Sequence, residues 1–159
     1  MKQILSFVFV GSVLFTGASS AYAKGSPDLI VITGGGLAQP IEITERETLK
    51  GFDPWMGQFI NWARAPVAEP SDPSRSYEVF FFMKWPGRHS NDDRGDLKMI
   101  YSVRYCPGRD GGPGLIYLPG EIDRDDRYSV NTRTILREGD DGKWHQASAA
   151  WDSVMKRLT

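Results

Sequence analysis

The run Tyr77 to Trp85 (YEVFFFMKW) constrains this chain more than any other stretch. Its aromatic and β-branched residues favour a pleated surface, and successive strand side chains point to opposite faces. Tyr77, Val79, Phe81, Met83 and Trp85 then share one face, and Glu78, Phe80, Phe82 and Lys84 the other. Leu97 to Tyr105 repeats the pattern, with Leu97, Met99, Tyr101, Val103 and Tyr105 on one side and Lys98, Ile100, Ser102 and Arg104 on the other. The polar loop Pro86 to Asp96 joins the two runs, which predicts an antiparallel hairpin at the centre of a sheet.

The remaining elements are shorter. Asp28 to Thr33 and Ile41 to Ile43 are strand-like and flank Gly34-Gly35-Gly36, a hairpin turn requiring positive φ. Thr44-Glu45-Arg46-Glu47 matches a capping box with Thr44 as the cap, and Gly51 ends that helix early. Asp53-Pro54 offers a second helix start, followed by an aromatic stripe of Trp55, Phe59 and Trp62 at helical spacing. Three prolines make Ala65 to Ser76 a loop. Leu115 to Leu118 is a strand, Arg127 to Arg137 alternates as another, and Glu138 to Gly142 is a turn. Ser148 caps a final helix with Trp151, Val154, Met155 and Leu158 on one face, Asp152 in its first turn and Lys156 and Arg157 in its last. The expected fold is α+β: an antiparallel sheet of about five strands with two or three short helices, including the C-terminal one.

At the N-terminus, Lys2 precedes an apolar run from Ile4 to Phe15 and small residues ending Ala21-Tyr22-Ala23. That order is a secretory signal peptide, residues 1–23, cleaved before Lys24. Residues 24–159 then form a single domain, periplasmic or released, with no membrane-spanning run of their own. With 19 basic and 20 acidic side chains overall, the chain makes no electrostatic case for nucleic acid. Cys106 is the only cysteine, so an exported domain of this kind holds together by packing and not by disulfides.

Three stretches together, LIVITGGGLAQPIEIT, RYCPGRDGGPGLIYLPG and DGKWHQASAAWDSVMKRL, resemble a group of small exported bacterial proteins without an assigned activity. The resemblance spans nearly all of residues 24–159. It implies a bacterial, exported, single-domain protein and carries over no functional residue.

Catalytic and cofactor patterns are weak. The triple glycine lacks the Lys-Ser/Thr pair of a phosphate loop and leads into a strand, so no cofactor is expected. Cys106 has only His89 and His145 as possible bases, and the loop after it is not a helix start. The loop RHSNDDRGD places His89 near Asp92, Asp93 and Asp96, but its spacing fits neither a calcium loop nor a zinc ligand set, so no metal site is assigned. Asp123, Asp125 and Asp126 are separated from Glu138, Asp140 and Asp141 by a strand, too far for a paired-carboxylate cleft.

A distributed feature remains. The sheet face opposite the main core would collect Phe80, Phe82, Ile100 and Ile135, ringed by Lys84, Lys98, Arg104, Arg127, Arg133 and Arg137. Trp55, Trp62 and Trp151 read as core anchors, which leaves Trp85 and Trp144 near loop ends as ligand contacts. The candidate binding residues are therefore Lys84, Trp85, Lys98, Arg104, Arg133 and Trp144, facing an anionic ligand or an envelope protein partner. The bland counterpart is a helix lying over the apolar centre. The expected function is a binding or inhibitor-type module. The alternatives are a small secreted hydrolase or metal-dependent enzyme using the His/Asp loop, and an accessory subunit of an envelope assembly.

Overall fold

The alternation in Tyr77–Lys84 and Leu97–Cys106 produces the central pair of one antiparallel sheet in the computed structural model, which describes residues 26–84, 97–120, 123, 131 and 139–159. The strands are β1 (Leu29–Gly34), β2 (Ile41–Ile43), β3 (Tyr77–Lys84), β4 (Leu97–Cys106), β5 (Leu115–Leu118) and β6 (Lys143–Gln146), in the order β2-β1-β3-β4-β5-β6. Among the described residues they are accompanied by α1 (Arg46–Lys50) and α2 (Ala149–Leu158), with a 3-10 turn at Pro73–Arg75. The fold is α+β, and the described residues alone supply six strands, not about five.

The additional strand is β6. Four residues, KWHQ, are too few to display a period, and its strand character comes from pairing Ile116 with His145 and Tyr117 with Trp144. The expected strand Arg127 to Arg137 lies outside the described residues except for Asn131, whose backbone is helical.

The β1–β2 turn follows its glycines: Gly34, Gly35 and Gly36 all have positive φ. At Gly35 a Cβ would also fall 2.2 Å from the Tyr77 ring, so no larger residue fits there without displacing that ring.

A bulge alters the central hairpin. Phe81 pairs with Tyr101 but Phe82 pairs with Met99, so the register shifts by one residue at Ile100. Ile100 is consequently buried in the main core, not on the opposite face expected for it. Leu97 and Met99 come opposite Lys84 and Phe82, so they leave the Tyr101 side to which simple alternation assigned them.

Helix starts also differ in detail. Glu45, not Thr44, caps α1, because its carboxylate reaches the N–H groups of Glu47 (2.9 Å) and Thr48 (2.6 Å). The aromatic stripe Trp55–Trp62 forms turns and no helix. Asp53 still accepts from the Trp55 N–H at 2.8 Å, but Gly57 at φ +61° breaks helical geometry, and Ile60 bridges to Ala147. The Trp62 indole folds back to donate to the Gly57 carbonyl at 3.0 Å and stays 44 % exposed, so it is no core anchor. Trp55 is half-buried against the core, and Phe59 is fully buried. This segment runs along β6, where the Asn61 and Val67 N–H groups donate to the Gln146 and Trp144 carbonyls, so the edge is partly covered.

The main core lies between one sheet face, α2 and the Phe52–Ile60 turns. Trp151 is fully buried and its ring meets those of Phe52, Phe59 and Phe81. Ser148 caps α2 as expected, accepting from the Trp151 N–H at 3.2 Å. Asp152 does more than complement the helix dipole. It is buried and accepts from the Tyr105 hydroxyl (2.6 Å), the Gly114 N–H (3.0 Å) and Lys156 (2.7 Å). Burial alone would raise its pKa, but the hydrogen bonds from Lys156, Tyr105 and Gly114 outweigh this and hold it below 3.8.

Candidate functional site

The register places Glu78 directly opposite Arg104 on the face away from α2, and their side chains meet at 3.0 Å. Next across the sheet, Arg104 pairs with Tyr117 and its guanidinium lies 5.7 Å from the ring centre. Tyr117 in turn packs on Trp144 at 5.2 Å, and with Cys106 they form a small second core. The Tyr117 hydroxyl donates to Asp123, and its pKa is pushed up to about 12 by burial and by that carboxylate. Buried Asn131 satisfies the β4 backbone at Ser102: its amide accepts from the Ser102 N–H (2.8 Å) and donates to the Ser102 carbonyl (2.5 Å).

Of the expected binding residues, Arg104 and Trp144 are brought near each other, both in contact with Tyr117. Arg104 is ion-paired and Trp144 is buried. Lys84 is exposed at the far end of β3, roughly 20 Å along the strand from Glu78. Lys98 is exposed and, because of the bulge, lies opposite Met83. Trp85 and Arg133 lie outside the described residues, as do His89, Asp92, Asp93, Asp96, Arg127, Ile135 and Arg137. Phe80 and Phe82 are half-buried.

Cys106 and His145 lie on opposite faces of the sheet. Cys106 pairs with Leu115, His145 with the core residue Ile116, and adjacent positions on β5 point opposite ways. His145 is buried, its Nε2 3.1 Å from the Asp140 carbonyl. This thiol and this imidazole therefore make no nucleophile–base pair. Among the described residues, no group of three or more His, Cys, Asp or Glu side chains is placed to hold a metal ion, and no helix is long and apolar enough to cross a membrane.

The feature that sequence reasoning missed is a cleft of about 210 Å³ beside Cys106. One wall comes from the loop before β3, with Pro70, Asp72 and Arg75; the other comes from the loop after β4, with Pro107, Arg109 and Pro113. Leu115 and buried Cys106 lie at its base, and the thiol points at the Asp72 carbonyl at 3.8 Å. Asp72 and Arg109 meet at 3.5 Å, with half of the Arg109 side chain still in solvent. The Ser74 hydroxyl, which donates to Asp72 at 2.5 Å, is the main cause of that carboxyl's lowered pKa, aided by Arg109 and Arg75. Each loop supplies an arginine from an unremarkable proline- or glycine-rich stretch, and no sequence spacing links Arg75 to Arg109.

No family model, curated protein or solved structure matches this chain. The chemistry of the cleft is that of its own side chains: two exposed guanidinium groups, one carboxylate that meets Arg109, and the apolar residues Cys106, Leu115 and three prolines. A second, larger cavity of about 330 Å³ borders α1 and includes Arg46 and Lys50. There Lys50 is bound to Glu47 at 2.8 Å and Asp28 contributes negative charge. Its lining carries the same balance of two cationic side chains and one carboxylate, but with one guanidinium where the cleft has two.

Proposed function

We propose that this protein is an exported binding module for an anionic ligand, and that the ligand sits in the cleft at Asp72, Arg75, Cys106 and Arg109. The observation that carries this reading is the pair of exposed arginines from two separate loops at one cavity of about 210 Å³. Guanidinium groups present planar forks of donors suited to oxyanions. Arg104, the arginine favoured by the strand pattern, has Glu78 beside it and is less available.

The test is an amide and arginine side-chain NMR titration of the purified protein with sulfate, phosphate, acetate and benzoate, against chloride. Shifts should concentrate at Asp72, Arg75, Cys106 and Arg109, and Arg109→Gln should weaken the tightest ligand about tenfold or more, the loss of one charge-assisted contact. A folded protein that responds to none of these anions, or responds only around Lys84 and Lys98, overturns the proposal.

A further inference from the structure

Resting on that reading, we infer that the ligand is a carboxylate bearing an apolar group, and that Asp72 occupies the position of its carboxylate at Arg109 when the cleft is empty. Arg109 already faces a carboxylate, that of Asp72, at 3.5 Å. That distance exceeds the 2.7–2.9 Å or so of a well-formed charge-assisted hydrogen bond, and both side chains are partly in solvent, so the pair exchanges readily for a better-placed oxyanion. Ser74 keeps the Asp72 carboxyl oriented and ionised.

The rest of the cleft distinguishes among anions. Apart from the charged groups, its lining is Cys106, Leu115 and the three prolines 70, 107 and 113, with Ser71 and Gly108 between them, and the thiol is already directed at the Asp72 carbonyl. Phosphate or sulfate presents oxygens on all sides and would turn some of them toward the prolines and Leu115, where no donor meets them, which is costly. A carboxylate has its oxygens at one end only. With that end at the arginines, an aryl or alkyl group covers the prolines and Leu115 and removes apolar area from water. The volume of about 210 Å³ lies below the 300–1,000 Å³ or so typical of drug-sized ligands, so the occupant is a small acid or the carboxyl end of a longer chain.

Calorimetry with benzoate, acetate, inorganic phosphate and two peptides tests this, the peptides sharing a C-terminal Leu as free acid or amide. The wild type, Asp72→Asn and Arg109→Gln are compared, each checked for native NMR dispersion. Benzoate, the free-acid peptide or both should bind at least about tenfold more tightly than acetate and phosphate, and the amide should not bind. Benzoate alone identifies a small acid as the source; the free-acid peptide identifies a chain end. Asp72→Asn should tighten benzoate several-fold, and Arg109→Gln should weaken it about tenfold. If phosphate binds as well as benzoate and remains sensitive to Arg109→Gln, the carboxylate assignment fails while the anion-binding reading survives. Asp72→Asn without tighter binding refutes the place-holder role. No binding of any anion by the folded wild type removes both.

Discussion

Beneath α2, Trp151, Phe59, Phe81 and Tyr101 bury their rings completely in one continuous cluster; on the opposite face near β5, Cys106, Tyr117 and Trp144 make a cluster of three, bordered by Glu78, Arg104 and the cleft. Both faces belong to the same strands, and what separates them is how much apolar area each can gather. The first gathers contributions from the sheet, from α2 and from the turns before β3, so it carries the stability of the fold. Among the described residues the second is much the smaller, and it lies beside a cavity that charged side chains reach without entering the main core.

Truncation should expose this asymmetry most strongly. Trp151→Ala is expected to lose about 3–5 kcal/mol of unfolding free energy, and Trp144→Ala about 2 kcal/mol, both read from denaturant melts at matched slopes. Equal losses would mean that the smaller cluster is an extension of the main core.

Next is the polar latch that holds α2 to the sheet. Asp152→Asn should cost about 2 kcal/mol near neutral pH, because three hydrogen bonds lose their charged acceptor. The folded-state pKa of Asp152 is depressed, so its contribution is full above the ordinary carboxyl value of 3.8 and disappears as pH falls through the lower folded value. Urea melts at stepped pH should show wild type and variant converging on the acid side only. A gap that persists in acid would show that packing, not charge, holds α2.

Gly57→Ala should destabilise by more than about 1 kcal/mol, since φ is +61° and the new Cβ would fall 2.7 Å from the Trp62 ring. A change in Trp62 fluorescence should accompany it. The smallest effect is expected on the opposite face. Glu78→Gln removes an ion pair that is only partly buried, at a cost of about 1 kcal/mol or less. It should also release Arg104, so that its Nε–H resonance responds to added sulfate more strongly than in the wild type. If the response is already equal, the distinction drawn between Arg104 and Arg109 is wrong.

The strands β1 to β5, the glycine turn and the Ser148 cap were legible because each is encoded locally, by period-two alternation, by positive-φ residues or by a side chain that reaches its own backbone. The bulge at Ile100 was not. Alternation read along one strand cannot reveal that its partner skips a residue, and the skip moved Ile100 into the core and put Lys98 opposite Met83. The Trp55–Trp62 stripe misled for a related reason: helical spacing is a statement about neighbours, and one glycine at positive φ broke the regularity it requires. The candidate site was hardly legible at all. Arg104 and Trp144 were recognisable as residues able to bind, but Glu78 and Tyr117 engage them only once the strands are in register.

The sequence by itself determined an α+β chain with a central antiparallel hairpin and a capped C-terminal helix, because those follow from interactions a few residues long. Tertiary structure alone decided which polar groups are occupied and which stand at a cavity. Asp152 acquired its partners from β4 and the Gly114 turn, and Arg75 and Arg109 came to one cleft because loops distant in the chain pack against the same end of the sheet. Such juxtapositions depend on long-range packing, for which no local sequence pattern is a guide.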